Sequence, residues 1–399
     1  MEQRLLIIVG SRPEAVKMAP IVMACAAQPE EFEVVLCSTG QQSQMIPQAL
    51  AEFELIADID LKVMRPDQTL AELTARLMVE LDKTITRIGP RWILVQGDTT
   101  SAMVGALAGF YHQIPVAHVE AGMRTGNPFS PFPEEINRRI ITQCATLHFA
   151  ATRRCQQTLL SEGIAKSQIF VTGNTVIDAM YWMREEISRT DSALPSNILE
   201  KLDERRLILI TSHRRESFGP GLRNICLAVK ELGQALDDIL IVFPVHPNPH
   251  VRQTAQSILE AQPNVLLIEP QPYRVFIELM AYAHIILTDS GGVQEEAPAF
   301  GKPLLVLRET TERPEGVEAG CAQLIGTNQQ DITQAAIKLL TDAGQYARMS
   351  NSKNLYGDGM AAARIASILS STLCDTIHLG NPKMDARAVS QLAISAKVN

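Results

Sequence analysis

Short apolar runs, many of them β-branched, alternate with longer segments of helical periodicity over the first half of the chain. The runs predict strands at Leu5–Val9, Val34–Ser38, Trp92–Val95, Val116–Val119, Leu147–Ala150 and Ile169–Val171. The segments between them predict helices near Glu14–Ala27, Gln44–Glu54, Leu70–Ile88, Thr100–His112, Pro133–Cys144 and Thr152–Glu162. Because the strands are apolar at consecutive positions, both faces of their sheet should be covered by helices, which is typical of a parallel sheet.

The second half of the chain repeats this plan. Its strands are predicted at Leu207–Thr211, Ile239–Phe243, Val265–Ile268, Ile285–Thr288 and Leu304–Leu307, and its helices near Gly221–Leu236, Tyr273–Ala283, Gly292–Phe300 and Asp331–Leu340. The segment Ser188–Ser196 has the composition of a linker. We therefore predict an α/β protein of two doubly wound domains, 1–187 and 197–359, that face each other across a cleft. A helix at about 360–374 is expected to pack back on the first domain, followed by a tail at 375–399.

Composition narrows the functional class. A chain of 399 residues is too long for one ordinary core, and its net charge of −8 argues against a nucleic-acid or anionic-membrane partner. The seven cysteines are scattered singly, which suits reduced thiols and indicates neither a zinc site nor a disulfide framework. The sequence shows no signal-peptide pattern and no apolar run long enough to span a bilayer. We expect a cytoplasmic enzyme without a metal.

The stretch HVEAGMRTGNPFSPFPEEINRR, from His118 to Arg139, concentrates charge at the end of a predicted strand. Glu120 follows that strand, and Glu134 opens the next predicted helix. Since ligands of doubly wound sheets bind outside the carboxyl ends of the strands, both carboxylates are placed for chemistry. A surface cluster of salt bridges is the alternative, because charged helix starts are common.

Other strand ends in the first half also carry polar motifs. GSRPEAVKMAP places Arg12 and Lys17 beside a helix start, where cations and backbone N–H groups suit a phosphate. QGDTTS places Asp98 after a glycine turn. An ordinary capped turn at the first motif and an Asx turn at the second are the alternatives.

Three motifs in the second half are of the same kind. His213 lies in TSHRRESFGPG and His246 in PVHPNP, where a buried, hydrogen-bonded histidine is the alternative for each. TDSGGVQEEAP opens a helix with small residues, which is typical of an anion site. Glu296, one turn further, is placed to accept both hydroxyls of a ribose.

Taken together, GSRPEAVKMAP, QGDTTS, HVEAGMRTG, SPFPEEINRR, HRRESFG, PVHPNP, TDSGGVQEEAP, FGKP and ERPEGVEAG follow one another in a known order. The chain resembles the bacterial non-hydrolysing UDP-N-acetylglucosamine 2-epimerases over nearly its whole length, to about residue 370. The resemblance implies a glycosyltransferase-B-like fold of two Rossmann-type domains, UDP bound mainly by the second, and a homodimer. The reaction it implies needs no redox cofactor.

The resemblance also implies roles for individual residues. Asp98, Glu120 and Glu134 match the family's acid and base carboxylates, and His213 matches the catalytic histidine near the leaving phosphate. Arg12 and Lys17 match the family's basic residues near the diphosphate. The family's nucleotide-binding positions correspond to Gln271, Phe276, Ser290, Gly291, Gly292, Glu296 and Arg313. Which carboxylate is the acid and which the base stays open.

Some relatives bind a second substrate molecule as an activator, through positions that match Gln41, Gln44, Glu134, Arg214 and His246. An arginine of that site is replaced by Asp67 here, which leaves regulation open. A hydrolysing 2-epimerase, an epimerase of a related UDP-sugar, and a sugar-binding or glycosyl-transferring protein on the same fold are the alternative functions. A transferase would not need carboxylates at three strand ends.

Overall fold

The computed structural model of the chain describes residues 3–202, 205–212, 219–351 and 355–372. His213, Arg214 and the 375–399 tail, about which the sequence made predictions, lie outside these ranges. The chain divides into two compact units. The first comprises Met1–Asp178 and the segment that begins at Gly357, and the second comprises Ala179–Tyr356.

Strands and helices alternate along the first unit. They are β1 (Gln3–Val9), α1 (Arg12–Ala26), β2 (Phe32–Ser38), α2 (Met45–Ala51), β3 (Ile59–Asp60), α3 (Leu70–Ile88), β4 (Trp92–Gln96), α4 (Thr100–Tyr111), β5 (Val116–Ala121), α5 (Glu134–Cys144), β6 (Leu147–Ala150), α6 (Arg153–Ser161) and β7 (Ile169–Val171). The strands form one parallel sheet in the order β3-β2-β1-β4-β5-β6-β7. The prediction of an α/β unit with a parallel sheet is confirmed; the strand β3 was missed because two residues carry no periodicity.

The second unit follows the same scheme. Its elements are α7 (Thr175–Ser188, which begins in the first unit), α8 (Ser196–Leu202), β8 (Arg206–Thr211), α9 (Pro220–Ala235), β9 (Ile239–Pro244), α10 (Pro249–Leu259), β10 (Val265–Ile268), α11 (Tyr273–Tyr282), β11 (Ala283–Thr288), α12 (Gly291–Glu296), β12 (Leu304–Val306), α13 (Pro314–Glu318), β13 (Ala322–Leu324), α14 (Gln329–Thr341) and α15 (Ala343–Ser350). The parallel strand order is β10-β9-β8-β11-β12-β13. The helix predicted near Gly292–Phe300 is two elements, α12 and a 3₁₀ turn at Ala297–Phe300, because Pro298 cannot donate an α-helical hydrogen bond.

Both sheets show why apolar runs became buried strands. Every residue of β4 is buried, and so are most residues of the inner strands of the second sheet, between helices on both faces. The helix α3 presents Leu73, Leu77 and Leu81 to this core at four-residue spacing, and a capping box of Thr69 and Glu72 begins it. Each buried leucine contributes about 1.5–3 kcal/mol, so Leu77→Ala would cost about 2–5 kcal/mol.

The chain passes from the first unit to the second within α7 and returns after Tyr356. The returning helix α16 (Ala361–Ser371) packs against α1. The N–H of Ala362 donates to Oδ1 of Asp178 at 2.8 Å, and Arg364 donates to the carbonyl oxygen of Thr172 at 2.9 Å. These bonds fix the returning segment to the start of α7.

The strand order reverses at β1 in the first sheet and at β8 in the second. In doubly wound sheets the ligand crevice lies at this reversal, outside the carboxyl ends of the strands. The turns after β1 and β4 and those after β8 and β11 are therefore where functional side chains are expected. Within the described ranges, no helix is both long and apolar enough to cross a bilayer, and no His, Cys, Asp and Glu side chains are grouped to hold a metal ion.

Candidate active site

The turns after β1 and β4 are joined by one buried carboxylate. Glu14 accepts the N–H of Gly10 at 3.0 Å and the hydroxyl of Thr99 at 2.8 Å. The hydroxyl of Ser11 caps α1 by accepting the N–H of Glu14. Burial outweighs these bonds and raises the pKa of Glu14 to about 7. The two turns at the strand-order reversal therefore form one hydrogen-bonded unit.

Asp98 is held by the helix α5. It follows Gly97, whose φ of 70° makes the turn after β4. Arg138 reaches Oδ2 of Asp98 with Nε at 2.9 Å and Nη2 at 2.6 Å, and Asn137 donates to the Asp98 carbonyl oxygen at 2.9 Å. The side chain of Asp98 stays partly exposed while that of Arg138 is buried. An ion pair to a neighbouring helix, rather than an Asx turn, thus fixes this carboxylate.

Glu120 occupies a bulge within β5. The register between β5 and β6 shifts between Val119 and Ala121, so Glu120 is an extra residue, and its φ is +67°. Bulges re-aim side chains, and a left-handed conformation at a non-glycine residue is strained. Lys17 and Asn174 both donate to Oε2 of Glu120, the latter at 2.9 Å. The strand therefore continues two residues past its predicted end and carries the carboxylate inside it.

The neighbouring carboxylates of α5 differ in environment. Glu135 is wholly buried and accepts the N–H groups of Thr125 and Gly126, at 3.0 and 3.2 Å, together with Arg138 and Arg139. Although burial favours its protonated form, these donors hold the pKa of Glu135 below its usual value. Glu134, the first residue of α5, is partly exposed. Glu135 thus holds the preceding loop in place, and Glu134 is the more exposed of the two residues.

The two basic residues of α1 lie in different surroundings. Arg12 is partly exposed at the first helical position, where its N–H donates to Gln42 at 2.8 Å. Lys17 is buried against Glu120. Its ammonium balances the charge of that carboxylate, and its predicted contact with a diphosphate stays a prediction.

The residues predicted to bind an activator are divided between the units. Gln41 accepts the hydroxyl of Ser101 at 2.8 Å, and Gln44 is exposed just before α2, both in the first unit. His246 follows β9 in the second unit, and its Nδ1 accepts the N–H of Asn248 at 3.2 Å. Their joint role stays a prediction.

In the second unit, hydroxyl groups connect the turns at the strand-order reversal. The hydroxyls of Thr211 and Thr288 lie 2.5 Å apart, and Ser212 donates to Asp289 at 3.0 Å. The N–H of Ser290 donates to the Thr288 hydroxyl at 2.9 Å. These turns present mainly hydroxyl groups around the buried Asp289, whereas the corresponding turns of the first unit present several charged side chains.

The predicted nucleotide-binding residues cluster around α12. Arg313 donates to Glu295 at 2.7 Å, and a Cβ atom on Gly291 would lie 2.6 Å from its guanidinium carbon. A side chain at position 291 would therefore displace the guanidinium from the start of α12. Buried Glu296 accepts the hydroxyl of Tyr273 at 2.6 Å, while a Cβ on Gly292 would meet only the Glu296 carboxylate, at 3.8 Å.

Gln271 and Phe276 lie at the neighbouring helix α11. The side chain of Gln271 donates to the carbonyl oxygen of Glu269 at 2.6 Å in the turn before that helix, and Phe276 is partly exposed on its second turn. Their predicted contact with the nucleotide stays a prediction.

Asn174 and Tyr273 contact predicted site residues, and Glu14 contacts their chain neighbours Ser11 and Thr99, yet sequence reasoning gave these three no role. For Asn174 a signal was present: it follows β7 in TGNT, a polar residue at a strand end like the others. For Tyr273 none was visible, because a tyrosine opening an apolar helix is an ordinary core residue.

Two parallel sheets with the same strand order, one edged by paired carboxylates and the other by hydroxyls and a glycine-opened helix, are typical of two-domain α/β enzymes with nucleotide-linked substrates. The chain belongs to the UDP-N-acetylglucosamine 2-epimerase family, whose model matches residues 23–370. It is 48% identical over 370 residues to the UDP-N-acetylglucosamine 2-epimerase of Yersinia pestis, covering 92% of this chain and 98% of that protein.

Two solved structures have the same fold. The UDP-GlcNAc 2-epimerase of Neisseria meningitidis bound to UDP-GlcNAc is 42% identical, with a TM-score of 0.87 and coverage of 92% of this chain and 100% of that chain. The S. aureus MnaA–UDP co-structure is 43% identical, with a TM-score of 0.85 and coverage of 92% and 96%.

Proposed function

We propose that the protein catalyses the reversible C2 epimerisation of UDP-N-acetylglucosamine to UDP-N-acetylmannosamine. Family membership over residues 23–370 supports this substrate. The observation that carries the proposal is the set of carboxylates at the first unit's strand ends, two of them fixed by cations. Such groups suit proton transfer, and a binding protein would not need them.

The chemistry explains why carboxylates are needed. The C2 proton of the sugar is not next to a carbonyl group, so its direct removal is very unfavourable. If a base takes the C2 proton as the C1–oxygen bond breaks, the C2–H electrons form a C1=C2 double bond and the C1–O electrons leave with UDP. The sugar then remains as a 2-acetamidoglucal. An acid then returns a proton to C2 from the other face as UDP adds back to C1. No net oxidation occurs.

The roles of the residues follow from this scheme. Asp98, Glu120 and Glu134 exchange the C2 proton, and the cations that contact Asp98 and Glu120 hold these two carboxylates in place. Ser290, Gly291, Gly292 and Glu296 hold UDP, so that it stays bound between elimination and re-addition. The resemblance implies that His213 is the catalytic histidine near the leaving phosphate.

A single incubation separates the alternatives. UDP-N-acetylglucosamine is mixed with the protein in D₂O, without cofactor or acceptor, and followed by proton NMR. Epimerisation gives deuterium at C2 with UDP still attached. Free sugar and UDP would indicate a hydrolysing enzyme, and no change until an acceptor is added would indicate a transferase. A panel of related UDP-sugars in the same assay tests the substrate.

The proposal extends to the setting of the reaction. We place the enzyme in the cytoplasm as a homodimer that supplies activated sugar for cell-surface polysaccharide, as the resemblance implies. Light scattering should give twice the 43.8 kDa of one chain; a monomer mass would refute the dimer. Substrate activation through Gln41, Gln44, Arg214 and His246 would make initial rates sigmoidal in substrate.

A further inference from the structure

We propose that Asn174 is a positioning residue for Glu120, and that its side-chain amide aims the carboxylate at the sugar. The inference rests on the proposed function, because it concerns a carboxylate that takes part in the C2 proton transfer. It adds a residue to the site from a segment that carries none of the predicted catalytic groups.

Both ends of the Asn174 amide are fixed. Its Nδ2 donates to Oε2 of Glu120 at 2.9 Å, and its Oδ1 accepts the N–H of Val176 at 3.1 Å. Turning the amide over would set a donor against the N–H of Val176 and an acceptor against a carboxylate. Only one orientation therefore satisfies both contacts. At 2% exposure, Asn174 cannot exchange these partners for bulk water.

Glu120 needs such a partner because its backbone is irregular. It sits in the bulge of β5 with a φ of +67°, where the strand ladder does not fix the direction of the side chain. Lys17 supplies charge at Oε2, but an ammonium on a flexible stem orients a carboxylate weakly. The planar amide of Asn174 adds the directional bond.

The backbone of Asn174 is held on two sides. The preceding Thr172 receives a hydrogen bond from Arg364 at its carbonyl oxygen. A Cβ on Gly357 would lie 3.3 Å from the backbone nitrogen of Asn174, so the returning chain packs directly against it. The backbone that carries the Asn174 side-chain amide is therefore held in place.

The competing explanation is that Asn174 only caps the start of α7 through Oδ1. The substitution Asn174→Asp separates the two roles. It keeps the size and the capping acceptor, and a negative charge at a helix start is favourable. It also replaces the donor with an oxygen that repels Glu120. A capping residue would tolerate the change, and a positioning residue would not.

We expect Asn174→Asp to lower kcat by about 100-fold or more, and Asn174→Ser, which shortens the side chain and removes the amide donor without adding charge, by about tenfold. The KM for UDP-N-acetylglucosamine should stay within about threefold in both, because Asn174 is proposed to act on the carboxylate that exchanges the proton and not on substrate binding. The control is Asn328→Asp: Asn328 caps α14 by accepting the N–H groups of Gln330 and Asp331, in the second unit. It should retain the wild-type kcat. Thermal unfolding is recorded for every variant.

A folded Asn174→Asp variant with low kcat and unchanged KM supports the proposal, and one with wild-type kcat overturns it. A kcat that falls only in proportion to the folded fraction also overturns it. If the Asp variant does not fold, Asn174→Ser decides by the same split between kcat and KM. A wild-type protein that leaves C2 unlabelled in D₂O overturns the proposed function, and this inference with it.

Discussion

The same strand-order reversal is used differently in the two units. In the first unit, the carboxylates at the strand ends are paired with cations from neighbouring helices, as in Asp98 with Arg138 and Glu120 with Lys17. In the second, the described residues at the reversal are mainly hydroxyls: Thr211 and Thr288 bond to each other, and Ser212 donates to the buried carboxylate of Asp289. The same strand order thus carries two kinds of turns at its strand ends, and the residues of those turns determine the chemistry.

The difference has a physical basis. A buried carboxylate is costly unless a cation and hydrogen bonds compensate it, so acid–base groups must be accompanied by Arg or Lys. A diphosphate site, which we propose for the second unit, needs donors, and hydroxyl and backbone N–H groups provide them. We therefore expect changes in the first unit to affect turnover and changes in the second to affect UDP binding.

The largest expected effect is that of Glu120→Gln. Removing a group that exchanges the C2 proton should lower kcat by about 1000-fold, with the Kd for UDP within about twofold of wild type. NMR turnover and calorimetric titration measure the two quantities. Glu33→Gln, at the exposed pair of Glu33 with Arg4, is the control and should be fully active. Weakened UDP binding with normal kcat would contradict the division between the units.

Arg138→Met should lower the free energy of unfolding by about 3 kcal/mol, because Glu135 and Asp98 lose a buried partner. Urea unfolding measures the loss. Adding Glu135→Gln should restore part of it, since the uncompensated charge is then removed. If the double variant is as unstable as the sum of the single ones, the ion pair is not the cause.

The first unit should also be acid-sensitive. Burial, reinforced by neighbouring positive charges, lowers the pKa of His118 to about 4 and that of His148 to about 3. The fold requires both histidines to be neutral, so their contribution to the free energy of unfolding is complete above pH ~6.5 and is lost as pH falls toward these pKa values. The loss between pH 7 and 5 is about 2 kcal/mol for each histidine.

Glu14 and Asp178, with pKa values raised by burial to about 7 and 6, act oppositely, since their contribution is lost as pH rises. The histidine effect is therefore isolated by comparing His148→Leu with wild type at each pH. The variant should lose about 2 kcal/mol less than wild type between pH 7 and 5, measured by urea unfolding. If the variant and the wild type lose the same free energy of unfolding between pH 7 and 5, protonation of His148 does not destabilise the fold.

The smallest expected effect is in the second unit. Glu296→Gln removes the charge that accepts the Tyr273 hydroxyl and turns one of the two oxygens proposed to accept the ribose hydroxyls into a donor. The Kd for UDP should rise about tenfold, the value of one charge-assisted hydrogen bond, with kcat changed less. Titration with UDP tests this. A fall in kcat as large as that of Glu120→Gln would remove the contrast between the units.

Sequence reasoning found the strand ends that carry the candidate site residues, but not the contacts that these residues make with neighbouring helices. Apolar runs revealed the inner strands, and the rule about strand ends then singled out Asp98 and Glu120. The pairing of Lys17 with Glu120 spans 103 positions and depends on strand order and register, which periodicity does not encode. Arg138 lay in a recognised motif, yet its choice of Asp98 and Glu135 depends on the docking of α5. The left-handed conformation of Glu120 had no signal either, because no glycine marks it.

The bulge in β5 has one more consequence. Val119 pairs with Phe149 and Ala121 with Ala150, so a chain lacking Glu120 would run an unbroken ladder along β6. Deleting Glu120 would therefore make the sheet more regular, and it would also remove the carboxylate that we propose for the C2 proton transfer.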